Sequence, residues 1–141
     1  MFNAVALLSV LPLATAHFTL TWPPARGFKA NDAPKFPCGG FNTVSSKRTN
    51  WPINGGPIQL NMEHAQTSVE VLLALGSDPG DNFNVVLKQT FSIEGLGDFC
   101  VGSAQVPSDL NISDGTLATI QVLTEGDGDP AGGLYQVSHY I

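Results

Sequence analysis

The chain reads as all-β, an antiparallel sandwich or barrel, on three observations. Short apolar runs recur along it, several of them alternating with period two. Turn-forming clusters separate these runs, drawn from 15 Gly and 10 Pro. No window holds a sustained 3.6-residue apolar period, so no long helix is expected. The 141 residues make one domain, and an apolar share of 43% is enough to bury a core.

Phe18–Trp22 is the first apolar run and the first expected strand. Pro23–Asn54 is less patterned and is expected as a long excursion, clipped by Cys38. The turn Asn54-Gly55-Gly56-Pro57 leads into a strand over Ile58–Asn61. Val69–Leu75 follows, with Val69, Val71, Leu73 and Leu75 on one face if extended. Ser77-Asp78-Pro79-Gly80 turns the chain into Asn84–Phe91, where one helical turn over Phe83–Leu87, capped by Asp81, is an alternative. Glu94-Gly95-Leu96-Gly97 precedes Val101–Val106, and Ser113-Asp114-Gly115 precedes Leu117–Leu123. In Leu117–Leu123, Ala118, Ile120 and Val122 face one way, Thr119 and Gln121 the other. A Gly/Asp-rich turn over Glu125–Pro130 leads to a last strand starting at Leu134–Val137.

Composition removes several function classes. Net charge is −6, with only six Lys plus Arg. A nucleic-acid binder needs a basic face to neutralise phosphates, and a polybasic membrane-surface protein needs the same sign. Two cysteines exclude Fe–S clusters and Cys-rich zinc modules. No G-x-S-x-G, P-loop or H-E-x-x-H pattern occurs. The acidic turns do not fall in EF-hand spacing. Nothing singles out a carboxylate pair for glycoside hydrolysis.

Met1–Ala16 reads as a secretory leader. The apolar stretch Val5–Leu13 is followed by small residues at Ala14-Thr15-Ala16. That stretch is too short to span a bilayer, and Pro12 fits a helix interior badly. The mature domain is then 17–141, in an oxidising, extracellular or cell-surface setting. Cys38 and Cys100 become candidates for a disulfide closing a loop of about 60 residues, worth about 4 kcal/mol in the chain-entropy model. Asn111-Ile112-Ser113 is an N-glycosylation acceptor in a turn-like context, used or unused.

Three histidines are present: His17, His64 and His139. Cleavage after Ala16 would give His17 a free α-amine beside its own imidazole. Amine nitrogen and ring Nδ1 of one residue can close a chelate ring, and a second histidine can add a third nitrogen. Three nitrogens in a T suit tetragonal Cu(II), which heads the divalent affinity order. A metal competes with protons for such nitrogens near neutral pH. His64 follows the expected strand Ile58–Asn61 and can reach the same end of the sandwich as His17. The plain alternative is that a loop histidine such as His64 is a solvated side chain.

The mature start His17-Phe18-Thr19-Leu20-Thr21-Trp22-Pro23-Pro24-Ala25-Arg26-Gly27-Phe28 resembles that of the fungal X325 family, the copper acquisition factor Bim1-like proteins. Phe36-Pro37-Cys38-Gly39-Gly40-Phe41, Asn54-Gly55-Gly56-Pro57-Ile58, His64-Ala65-Gln66, Gly97-Asp98-Phe99-Cys100, Ser113-Asp114-Gly115-Thr116 and Gly132-Gly133-Leu134-Tyr135 extend the match to about Gln136. These proteins are relatives of the lytic polysaccharide monooxygenases. The resemblance implies a small immunoglobulin-like or fibronectin III-like β-sandwich. It implies Cu(II) held by the mature N-terminal histidine and one later histidine, roles that fall on His17 and His64, assisted by an aspartate near the C-terminal end. It further implies copper handling at the fungal cell surface, often with a glycosylphosphatidylinositol anchor, and no oxidative cleavage of polysaccharides.

The sequence departs from that pattern after Tyr135. The family continues with a cysteine and then a metal-binding aspartate, at the positions of Val137 and His139. Val-Ser after Gln136 is what an unspliced intron donor would encode, so residues 137–141 read as a gene-model artefact. If they are genuine, His139 either replaces the carboxylate or plays no part. A missing terminal strand would leave a sheet edge uncovered. The absent cysteine also clouds the disulfide, because a cysteine at the Val137 position would be a competing partner.

Three functions from different classes follow. The first is a monomeric copper-binding module that captures Cu(II) and passes it on, with a surface copper transporter or a cell-wall polysaccharide as partner. The second is an oxidative polysaccharide-cleaving enzyme, which needs a brace with an open coordination site and a substrate-binding face, normally supplied by exposed aromatics; Trp22 and Trp51 each sit beside a proline and are expected inside the fold. The third is a structural cell-wall protein with a degenerate copper site.

Overall fold

The structure, a computed structural model, describes residues 17–125 and 133–140, the latter without the side chains of His139 and Tyr140. Seven strands form two antiparallel sheets: β1 (Phe18–Trp22), β2 (Gly56–Met62), β3 (Gln66–Leu75), β4 (Val85–Glu94), β5 (Gly97–Ala104), β6 (Ala118–Glu125) and β7 (Gly133–Tyr140). One sheet has the order β1-β2-β5 and the other β4-β3-β6-β7. In the immunoglobulin constant arrangement the fourth strand joins the first sheet. Here β4 pairs with β3 instead, a strand-switched variant of the same sandwich. The described residues contain no α-helix.

Alternation builds the core. Phe18 and Leu20 from β1, with Ile58, Leu60 and Met62 from β2, point inward against Val69, Val71 and Leu73 of β3 and Ile120 and Val122 of β6. Leu75, expected on the same face, is half-exposed because β3 ends there. β6 departs from simple alternation, since Thr119 and Gln121 are buried as well. The reason lies in residues 23–54, which fold over the outer face of the larger sheet. Gln121 Nε2 donates to the Pro37 carbonyl at 2.6 Å. Beneath this cover Cys38, Ala74, Phe83 and Val137 form a second apolar cluster. Gly39 fits the tightest point: its φ is +59°, and a Cβ there would lie 2.2 Å from the Tyr135 carbonyl oxygen.

Four expectations need correction. Cys38 and Cys100 are not paired. Cys38 is buried outside the larger sheet, whereas Cys100 is exposed on β5 of the smaller one, opposite Gln59. Stacked sheets stand about 10 Å apart, and a disulfide needs Cα atoms within about 7 Å. Phe83–Leu87 holds no helical turn: the Phe83 amide donates to Asp81 at 2.8 Å in a tight turn, and β4 begins at Val85. The helical turns that do form are short 3₁₀ segments at Ala30–Asp32 and Ser108–Leu110. Trp51 is buried as expected, but Trp22 is 38% exposed.

The terminal strand is the fourth. β7 runs the length of β6, from Gly133 opposite Glu125 to Tyr140 opposite Ala118. Its Val137 and Ser138 are buried. The outer edge of β7 is closed by the excursion, because Tyr135 N–H donates to Ala33 O at 2.9 Å and Arg26 N–H donates to Val137 O at 2.8 Å. These bonds occupy edge groups that would otherwise template pairing with another chain.

Candidate metal centre

His17 immediately precedes β1, and the register of that strand fixes where it stands. Phe18 pairs with Met62 and Thr19 with Asn61. Both Phe18 and Met62 are buried, so slippage by one residue would turn them to solvent. Beyond that pair the Glu63 amide donates to the His17 carbonyl at 3.1 Å. His64 is the next residue. The two histidines therefore stand at the same end of the smaller sheet, one residue apart across a backbone hydrogen bond.

The segment carrying His64 is short and tied on both sides. Glu63-His64-Ala65 links β2 to β3 and crosses from one sheet to the other. Glu63 is held by His17, and the Ala65 carbonyl accepts from the Gly95 amide at 2.7 Å in the β4–β5 turn. Asn61 Nδ2 donates to Asp98 Oδ1 at 2.8 Å, bracing the adjoining ends of β2 and β5. The far edge of β1 is fixed as well. Leu20 N–H donates to Gln136 Oε1 at 2.9 Å, and Gln136 Nε2 donates to the Phe18 carbonyl. His17 thus leaves a strand held along both edges.

Both histidines are half-buried. The His17 ring meets Phe28 edge-on, with centroids 6.1 Å apart and planes at 85°. Phe28 lies in the excursion, and nothing in sequence spacing announces that contact. Among the described residues, no three His, Cys, Asp or Glu side chains gather as a metal-binding group. A two-histidine site completed by a backbone amine does not require three such side chains.

The backbone register separates His139 from this end. His139 pairs with Thr119, and Thr119 pairs with Ala74, near the far end of β3. Ten residues of extended chain separate Ala74 from His64, roughly 30 Å. Residue 139 is therefore not in place to substitute for a third ligand; its side chain lies outside the description. The leader Met1–Ala16 and the acidic turn residues 126–132 also lie outside the described residues.

The remaining sequence candidates lie elsewhere. Cys38 sits beside Arg26, whose Nη1 points to its Sγ at 3.9 Å. Burial pushes the Cys38 thiol up, and the guanidinium charge only partly offsets it. Asn111 is exposed, just past Ser108–Leu110, in a left-handed conformation with φ of 47°. It lines a cavity of about 480 Å³ with Ile53, Asn54 and Ile112.

Comparison with known proteins follows the same line. A family model described as "Copper acquisition factor BIM1-like" matches residues 15–138. An uncharacterised protein of Aspergillus fumigatus is 47% identical over 139 residues, covering 95% of this chain and 56% of the relative. Copper acquisition factor BIM1 of Cryptococcus neoformans var. grubii is 31% identical over 138 residues, covering 91% of this chain and 61% of the relative. The lytic polysaccharide monooxygenase-like protein ham-7 of Neurospora crassa is 31% identical over 143 residues, covering 86% and 62%. The chain thus spans about three-fifths of the length of these relatives.

Proposed function

The chain belongs to the BIM1-like copper acquisition factor family, and from that membership we propose that it binds Cu(II) as cargo outside the cell, through His17 and His64. The observation that supports the reading is the Glu63–His17 backbone hydrogen bond, which brings the backbones of the two histidines to the same end of the smaller sheet. His17 supplies its imidazole and, once Ala16 is removed, its α-amine. His64 supplies the third nitrogen from a connection tied at both ends. Such nitrogen donors favour Cu(II) over the other divalent ions of its row. Because the strand ends are held before the ion arrives, little ordering is left to oppose capture.

The role is capture and transfer rather than oxidative cleavage. A polysaccharide oxidant needs a substrate-binding face beside the metal, which exposed aromatics normally supply. Trp22 is exposed but stands at the other end of β1 from His17, and Phe28, which does reach the His17 ring, meets it edge-on rather than as a flat platform beside it. The proposed setting is the cell surface, with a surface copper transporter as acceptor and a cell-wall polysaccharide as the alternative partner. Asn111 is the proposed glycosylation site.

The test compares protein beginning at His17 with protein retaining Ala16. The first should bind one Cu(II) tightly, and the second should lose at least about tenfold in affinity because the amine is now an amide. Equal affinity would reject the terminal chelate. Oxidised oligosaccharides released from cellulose, chitin or xylan, and lost on His17→Ala, would replace capture with catalysis.

A further inference from the structure

Half of the chain's cations meet at one place that copper capture does not use. Of six Lys and Arg, Arg26, Lys47 and Arg48 line a single cavity of about 390 Å³, together with the hydroxyl residues Ser45 and Thr49. Among the described residues no carboxylate lines it, although the chain carries twelve Asp and Glu. Clustering of like charge in an acidic protein works against folding unless an anion offsets it.

The guanidiniums are held in place but not satisfied. Arg26 Nη1 donates to the carbonyls of Phe41 at 3.0 Å and Asn42 at 3.3 Å, and its Nη2 to the Ser77 carbonyl at 3.4 Å. Arg48 Nη2 donates to Ser77 Oγ at 2.5 Å. That leaves Arg26 Nε and Arg48 Nη1 as buried donors with no partner among the described residues. Buried guanidinium nitrogens without an acceptor are uncommon, because nothing replaces the water they lose. Burial lowers the Arg26 pKa, Cys38 and Asp78 act the other way, and Arg48 adds like-charge repulsion. Asp78 lines the adjoining cavity on the other side of Arg26, not this one.

We propose that the cavity between Arg26 and Arg48 binds a tetrahedral oxyanion, a phosphate or sulfate group. Its charge is met by the Arg26 and Arg48 guanidiniums and the Lys47 ammonium that line the cavity, with the Ser45 and Thr49 hydroxyls as further donors. Charge-assisted bonds from paired guanidiniums suit phosphate and sulfate geometry. The site is remote from the histidines: Arg26 follows the end of β1 opposite His17, and Ser77 follows the end of β3 opposite His64. Anion binding is therefore independent of the copper reading. The group arrives either as the free ion or as an ester on a sugar.

Calorimetric titration of the full chain with inorganic phosphate, and in parallel with glucose 6-phosphate, tests this. Saturable binding that weakens with salt is expected. Arg48→Gln should lose about tenfold and Lys47→Ala about threefold, while Lys88→Ala on β4 should change nothing. Asp78→Asn should tighten binding, since it removes the carboxylate that competes for Arg26. Stronger binding of the sugar phosphate assigns the ester as ligand, and equal binding assigns the free ion; either supports the site. If Arg48→Gln does not fold, Lys47→Ala and Asp78→Asn decide. Absence of saturable binding, or equal losses in Lys47→Ala and Lys88→Ala, overturns the proposal.

Discussion

Gln136 acts toward Leu20 as a strand would: its Oε1 accepts the Leu20 amide at 2.9 Å, while its Nε2 donates to the Phe18 carbonyl. One side chain from β7 thereby satisfies the outer edge of β1 and joins the two sheets at an open corner. Both partners and Gln136 itself are buried. The same bonds hold the strand from which His17 emerges.

Gln136→Leu should keep the volume and remove both bonds. Two buried backbone groups then lose their partners, at about 1–3 kcal/mol each. Urea unfolding of the variant should show a loss of about 2–6 kcal/mol. Copper affinity should fall with it if β1 frays in the folded state. A variant as stable as the parent would show that water replaces the amide at this corner.

The two cysteines should differ in reactivity. Cys38 is buried and its thiol is pushed up by that burial, so less thiolate is present at any pH below its titration. Cys100 is exposed. A thiol reagent at mildly alkaline pH should label Cys100 and leave Cys38 until the protein is unfolded. Mass spectrometry of the labelled peptides reads the outcome. Recovery of a Cys38–Cys100 crosslinked peptide from native protein would contradict the arrangement of the sheets.

Val137 packs in the same small cluster as Cys38. On oxidation, the thiol introduced by Val137→Cys should therefore form a disulfide with Cys38. It would close a loop of about 100 residues, for which the chain-entropy model gives about 4–5 kcal/mol. The check is the urea midpoint with and without reductant. No shift between the two would mean that the Cβ atoms do not face one another.

Much of the fold is legible in the chain because its signals are local. Val69, Val71 and Leu73 announce their face by period two, and Ser77-Asp78-Pro79-Gly80 announces the turn that follows. β5 starts earlier than apolar content suggests, at Gly97, because Asp98, Phe99 and Cys100 lie on the exposed edge strand of the smaller sheet, held by pairing with β2 and by the contacts of Asp98 with Asn61 and of Phe99 with Phe91. The cover over the larger sheet is not legible. It depends on long-range bonds such as Gln121 to Pro37 and Arg26 to Val137, which leave no period in the sequence. The unpaired cysteines follow from the same cover, which carries Cys38 away from β5. At the candidate metal centre the residue types are legible, since a histidine directly after a cleavage pattern is uncommon. That His17 and His64 share one end of the sandwich is legible too, but the register that sets them one residue apart, Phe18 opposite Met62, is not. Phe28 against the His17 ring has no sequence signal.

The most direct measurement is a Cu(II) titration, read by electron paramagnetic resonance, of protein beginning at His17 beside its His64→Ala and His139→Ala variants. Three nitrogens should appear in the hyperfine pattern of the parent. His64→Ala should lose one nitrogen and a large part of the affinity, because capture is no longer multidentate. His139→Ala should match the parent, because its register places it at the other end of β3. An unchanged spectrum and affinity in His64→Ala, or damage confined to His139→Ala, would contradict a site built on His17 and His64.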